Sequence, residues 1–372
     1  MISLNRGGRR PPFKHAQRAL AIAVVVLATA PAITAATASA AAPSPTPVPA
    51  PVISRDFPDP SVLAVGSSYW AYSTASGYGS AVRHVPLSRA IGLHGPWTDG
   101  GDAMPALPSW VDSVRGGSIW APDVSARSDG SYLLYFTGRA KAPQNVQCIG
   151  AALASSPKGP FHAVSDKPLV CRPDDVDSID PSAFPDADGK QYVLYTSGRG
   201  KSTIWAQQVT KDGLTPVGER SALLTADRPE EAGVVEAPTL VRRGGKYVLF
   251  YSANRYNSGA YFANYATASS LAGPFVKSPG ALLNKSSLGG GFTNPGGQDV
   301  VPGTKQDYLV FHGYARPGQR SMYVVGLHWV GSKPTLRLDA PADPAARAFT
   351  GNDQLPGGPA MPTERQGAAA QG

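Results

Sequence analysis

Five acidic side chains recur along the chain at intervals of about sixty residues, each within two residues of a proline or glycine: Asp59, Asp123, Asp180, Glu236 and Asp299. If a repeat brings such positions to one axis, the carboxylates meet with no obvious counter-charge, and each raises the others' pKa values. Proteins tolerate that cost mainly at sites. Two carboxyl groups flanking a bond, one protonated to donate and one ionised to activate water, are the minimum for cleaving a glycosidic linkage, and a third can set their pKa values. Glu236 fits the donor best. It interrupts the apolar run Val234-Val235-Glu236-Ala237-Pro238, where burial would favour its protonated form. Asp59 and Asp180 each precede a proline, so turn capping is an equal reading for them at this point. Asp123 sits two residues later in its unit and reads as structural, as does Asp299.

The elements that must position these groups are strands. About ten residues after each acidic turn comes an aromatic, β-branched run: Tyr69–Ser73, Tyr132–Thr137, Tyr192–Thr196, Tyr247–Tyr251 and Tyr308–His312. Three units later carry Gly-Pro-aromatic, as Gly95-Pro96-Trp97, Gly159-Pro160-Phe161 and Gly273-Pro274-Phe275. No segment keeps a helical period. Five units of this length, each large enough for about four strands and arranged radially so that no long sheet edge stays bare, predict an all-β fold, a five-bladed β-propeller over residues 52–338. In a propeller the first strand of each blade lines the axis, which would deliver the acidic turns to one mouth.

The two ends read differently. Residues 1–40 have a basic head (Arg6, Arg9, Arg10, Lys14, Arg18), an apolar middle and a small-residue end, the pattern of a secretory signal peptide. Arg9-Arg10 with Phe13-Lys14 approaches a twin-arginine signal, but Pro11 and Pro12 intervene, so the route, Sec or twin-arginine, stays open. Residues 41–51 read as a Pro/Ala-rich linker and 339–372 as a low-complexity, disordered tail. The expected product is secreted, with no membrane association after cleavage, and monomeric.

The formal charge is +8, yet five of the basic residues lie in the head, and no stripe of Lys and Arg interleaved with aromatics follows. Nucleic acid is therefore not an expected partner. In an exported chain the two cysteines, Cys148 and Cys171, are a disulfide candidate, with two buried thiols the alternative.

The motifs Phe57-Pro58-Asp59-Pro60-Ser61, Trp120-Ala121-Pro122-Asp123-Val124, Ile179-Asp180-Pro181-Ser182-Ala183-Phe184 and Val235-Glu236-Ala237-Pro238, in this order and at the repeat spacing, resemble glycoside hydrolase family 43. The resemblance runs from about Asp56 to Trp329 across all five units. It implies inverting hydrolysis of arabinofuranosides, arabinans or xylosides, with Asp59 as general base, Glu236 as general acid and Asp180 orienting Glu236 and modulating its pKa. By the same resemblance Arg320 reaches the sugar, and Trp120 lines the sugar pocket or packs within its blade. Many members carry a histidine after a glycine in the last blade, near a metal ion. Here Gln298 stands in that place, in Gly296-Gly297-Gln298-Asp299, where it would fill the histidine's role through water, and it is also expected among the substrate-binding residues. No cofactor is then required, no metal ligand is assigned and a structural calcium is doubtful. His312 reads as a core hydrogen-bonding residue.

The wider pattern is most like the family's exo-acting arabinan branch. The expected substrate is a plant cell-wall polysaccharide or oligosaccharide with α-L-arabinofuranosyl linkages. β-Xylosidase and endo-α-1,5-L-arabinanase stay open, as does a non-catalytic carbohydrate-binding propeller.

Overall fold

Each aromatic run of the sequence becomes the second strand of a four-stranded antiparallel sheet, and five such sheets follow one another along the chain. The computed structural model describes residues 48–338 apart from 79–80, 114–117 and 145. The expected signal segment, residues 41–47 of the expected linker and the expected tail lie outside the described residues. Blade one comprises Ser61–Val65, Ser68–Tyr72, Pro86–Ala90 and Thr98–Asp102, and blade two Ile119–Ala126, Tyr132–Arg139, Gln147–Ala154 and His162–Ala163. Blade three is Ser178–Pro185, Gln191–Ser197, Thr203–Val209 and Ser221–Thr225, and blade four Val235–Arg243, Lys246–Ala253, Phe262–Ala268 and Val276–Lys277. Blade five is Thr293–Val301, Asp307–Arg316, Gln319–Val330 and Lys333–Arg337. The helical pieces among the described residues are three 3₁₀ turns, and none is long and apolar enough to cross a membrane.

The second strands are apolar on both faces because each blade is sandwiched between two others. The buried side chains accordingly fall into five clusters, one per blade interface. Tyr72 and Phe136 belong to the interface of blades one and two, Tyr135 and Tyr195 to that of two and three, Tyr251 and Leu194 to that of three and four. Phe250 and Phe311 fill the next, and Phe57 with Val310 the last. The Gly-Pro-aromatic marker has a structural reason: Trp97, Phe161 and Phe275 anchor the turn before the outermost strand on these cores.

The ring closes on itself. The innermost strand of each blade touches that of the next, and Thr293–Val301 touches Ser61–Val65. The entering segment also pairs with the third strand of blade five, where the Val52 N–H donates to the Met322 carbonyl (2.8 Å) and Phe57 N–H to that of Arg320 (2.7 Å). A disulfide joins Cys148, in the third strand of blade two, to Cys171 on the way into blade three.

Candidate active site

At the start of every innermost strand one residue adopts the left-handed conformation: Asp59 (φ 51°), Ala121 (42°), Asp180 (55°), Ala237 (51°) and Gly297 (56°). Four of these are not glycine, and each L-residue there costs roughly 1–2 kcal/mol. In blades two to five the position coincides with a register shift, between Trp120 and Asp123, Ile179 and Ser182, Glu236 and Thr239, and Gly296 and Asp299. These are β-bulges, and a bulge re-aims side chains. A regular strand would show the axis alternate residues only. Here three consecutive residues of every inner strand, from Asp59-Pro60-Ser61 to Gly297-Gln298-Asp299, line an axial cavity of about 40 Å³.

The register sorts the five acidic residues into three kinds. Asp59 and Asp180 occupy the left-handed position itself, Glu236 precedes it and Asp123 and Asp299 follow it by two. Asp123 and Asp299 lace the inner strands together: Asp123 Oδ2 accepts the Ala183 N–H (2.9 Å) and Asp299 Oδ2 that of Val62 (2.8 Å). Burial, with the charge of Asp299, pushes Asp123 up to about 7, and burial pushes Asp299 up to about 6.

A second rule fixes the mouth. A residue in or just after the second strand, opposite each left-handed position, reaches across to the next blade and accepts the N–H of its left-handed residue. Thr74 Oγ1 takes that of Ala121 (2.8 Å), Thr137 that of Asp180 (3.0 Å), Ser252 that of Gly297 (2.9 Å), and His312 Nδ1 that of Asp59 (3.1 Å). The junction of blades three and four departs from the rule. There the Ala237 N–H goes to Asp180 Oδ2 (3.1 Å), and the buried Thr196 hydroxyl, which stands where the other acceptors stand, has no partner. Asp180 is thereby held against the strand that carries Glu236.

The three mouth carboxyl groups have different surroundings. Asp59 accepts from Thr74 Oγ1 (2.6 Å), with His312 Nδ1 at 3.1 Å and Arg320 Nη1 at 3.7 Å, and its side chain is 24% exposed. Burial opposes its charge, but Arg320 and the Thr74 hydrogen bond outweigh burial and hold the carboxyl well below its ordinary range. Glu236 accepts from the Tyr261 hydroxyl (2.7 Å). Burial, reinforced by the charge of Asp59 and opposed by the Tyr261 hydrogen bond, pushes it up to about 7. Asp180 is raised well above its usual range by burial and by the charges of Glu236 and Asp59. The site thus keeps one carboxylate ionised and partly open to water beside a carboxyl group that holds its proton near neutrality, the pairing that acid–base hydrolysis needs.

The remaining residues expected at the site are distributed as follows. Arg320 lies beside Asp59, with the exposed Tyr256 ring 5.4 Å from its guanidinium. Trp120 is partly exposed one residue before the left-handed position of blade two, and its indole N–H donates to Ser118 (2.6 Å). Gln298 is nearly fully buried, with Oε1 accepting from Ser252 (2.8 Å) and Nε2 donating to the Ala237 carbonyl (2.6 Å). Its amide ties blade five to blade four at the wall of the axial cavity. Among the described residues no three or more His, Cys, Asp and Glu side chains are grouped to hold a metal ion, and His312 Nδ1 is engaged by Asp59. The other ring nitrogen, Nε2, is buried without a hydrogen-bond partner.

Sequence reasoning missed Thr74, Tyr261, Tyr256 and the need for two glycines. Thr74, Thr137 and Ser252 stand five residues after the first tyrosine of their runs but Thr196 and His312 only four, so the strand register, not the sequence spacing, makes the five equivalent. A Cβ on Gly297 would lie 2.6 Å from both Asp59 Oδ1 and His312 Nδ1. Tyr261 and Tyr256 lie between strands, where the repeat gives no signal.

A closed five-bladed propeller with an asymmetric set of carboxyl groups at one mouth defines a class of carbohydrate-cleaving enzyme. The family model for glycosyl hydrolases family 43 matches residues 48–330, and the chain belongs to this family, whose members are inverting glycoside hydrolases. It is 29% identical over 298 residues to an extracellular endo-α-(1→5)-L-arabinanase of Bacillus subtilis, covering 74% of this chain and 86% of the relative. An extracellular exo-α-(1→5)-L-arabinofuranosidase of Cellvibrio japonicus is 24% identical, with 74% and 84% covered. A thermostable family-43 glycoside hydrolase of solved structure superposes with a TM-score of 0.64 at 24% identity, over 76% of this chain and 93% of the other.

Proposed function

We propose that this chain is a secreted hydrolase of α-L-arabinofuranosyl linkages in arabinan or arabinose-containing hemicellulose, acting from chain ends. Asp59 is the general base, Glu236 the general acid and Asp180 the carboxyl group that orients Glu236. The different partners of the two carboxyl groups carry the assignment, Thr74 and Arg320 at Asp59 and the Tyr261 hydroxyl at the buried Glu236. Asp59 takes a proton from a water that attacks the anomeric carbon. The glycosidic C–O bond breaks on the opposite face as Glu236 gives its proton to the departing oxygen, and configuration inverts. One carboxyl group ends protonated and the other ionised, and exchange with solvent restores both. Arg320 keeps Asp59 ionised and, with Trp120 on another blade, lies where it can meet the sugar.

The test is sugar release from linear and branched arabinan and from xylo-oligosaccharides, with Glu236→Gln alongside and the first-formed anomer read by proton NMR. Arabinose of inverted configuration from wild type, and none from the variant, is the expected result. Binding to arabinan with no release from any substrate would replace the hydrolase reading by a binding one. The Bacillus subtilis relative favours a second reading, internal cleavage. A rapid fall in the viscosity of linear arabinan before free arabinose accumulates would establish it. Export is read from residues 1–40, supported by the extracellular relatives. N-terminal sequencing of protein from the culture medium tests it.

A further inference from the structure

Tyr261 stands immediately before the third strand of blade four and is 3% exposed. Its hydroxyl donates to Glu236 Oε1 at 2.7 Å. Its ring stacks on His312, with centroids 6.1 Å apart and planes 10° from parallel, and His312 in turn engages Asp59. The backbone around it is pinned by Asn294, whose Oδ1 accepts the N–H groups of Gly259 (2.7 Å) and Tyr261 (3.4 Å). The place of the ring exists because Gly296 has no side chain: a Cβ there would lie 2.2 Å from Tyr261 Cε1. Burial and the charge of Glu236 hold the phenol well above its ordinary pKa, so it remains a donor throughout the range in which the enzyme works.

A fixed donor on one carboxyl oxygen has a chemical consequence. With Oε1 accepting from Tyr261, the acidic proton of Glu236 is directed to Oε2, and the side chain cannot rotate without losing the bond. We infer that Tyr261 is the positioning residue of this hydrolase, selecting which oxygen of Glu236 carries the proton to the leaving group and coupling that oxygen, through the stacked His312, to the placement of Asp59. The inference rests on Glu236 being the general acid, and its experiment separates the two.

Tyr261→Phe keeps the ring and removes the donor. It is compared with wild type and Glu236→Gln on two substrates, an arabino-oligosaccharide, whose leaving group needs a proton, and 2,4-dinitrophenyl α-L-arabinofuranoside, whose leaving group needs none. The expected result is a loss at least tenfold greater on the oligosaccharide than on the aryl glycoside, as part of the roughly 10²–10⁴-fold that acid catalysis supplies. The alkaline limb of kcat/KM should also move up by about one pH unit, since a hydrogen bond that favours the ionised acid is gone. Equal losses on both substrates, or an unmoved limb, would overturn the inference if Glu236→Gln still discriminates between the substrates. If Glu236→Gln itself loses both equally, the acid assignment fails, and the role of Tyr261 with it.

Discussion

Two sets of acidic residues face the same axis, and they differ by two residues of register. Asp123 and Asp299 follow the bulge, accept a backbone N–H from the neighbouring blade, and are pushed towards the neutral form by burial. Asp59, Asp180 and Glu236 sit at or just before the bulge: Thr74 of the same blade and His312 and Arg320 of blade five meet Asp59, Tyr261 of the same blade meets Glu236, and Asp180 accepts the Ala237 N–H of blade four. Type and burial are alike in the two sets, so neither explains the difference. What separates the base and the acid from an inter-blade lace is whether a cation or a hydroxyl meets the carboxyl; Asp180, which accepts the Ala237 N–H, both laces two blades and borders the pair.

The sharpest way to break that comparison is to neutralise one member of each set. Asp59→Asn and Glu236→Gln should each lower turnover on arabinan by about 10²–10⁴-fold while leaving the melting temperature near that of wild type. Asp123→Asn, which keeps an acceptor for Ala183, should leave turnover of the folded protein unchanged. A comparable loss of turnover in Asp123→Asn would dissolve the distinction. Gly297→Ala is expected next in size. Its methyl would crowd both Asp59 Oδ1 and His312 Nδ1 and sit at φ 56°, so kcat should fall about 10²-fold and stability by roughly 1–2 kcal/mol, read by initial rates and urea unfolding.

The repeat was legible because it is written in residues that serve the blade itself: the aromatic second strands, the Gly-Pro turns, the acid or proline at the bulge. The mouth carboxyl groups were legible for the same reason, since each stands in a repeated motif. Glu236 could be distinguished by its apolar neighbours, before anything was known of its partners. Asp59 could not be told from a turn residue, because what defines it is the contact of Thr74, His312 and Arg320, whose distances along the chain carry no local signal. Gln298, expected at the sugar, lines the axial cavity and also bridges two blades, a use that only the neighbouring Ser252 and the Ala237 carbonyl reveal.

The lacing set also predicts a pH dependence of stability. An acid whose folded pKa is raised binds more protons folded than unfolded, so stability is greatest below the unfolded value near 3.8 and is lost as pH rises through the folded value, here about 7 for Asp123. Asp123→Asn removes that loss. Its melting temperature should match wild type at pH 4 and exceed it at pH 8, a pattern readable by calorimetry. A variant less stable than wild type at pH 8 would show that the ionised carboxylate is needed at the junction. The alkaline limb of activity has a separate origin, since Glu236 near 7 must be protonated to act, and kcat/KM should fall as pH rises past that value.

The smallest expected effect tests the exception on which the mouth depends. In four junctions a side chain in or just after the second strand accepts the N–H of the left-handed residue, and in the fifth Asp180 has displaced Thr196 from that duty. Thr137→Val should therefore cost about 1–3 kcal/mol, because the Asp180 N–H is left without its acceptor. Thr196→Val removes a hydroxyl that has no partner and keeps the shape, so it should be neutral or slightly stabilising. Measured together by urea unfolding, the two substitutions differ by the worth of one inter-blade bond. Equal costs would mean that Thr196 still holds the Ala237 strand, and that Asp180 is free to serve Glu236 without also carrying the junction.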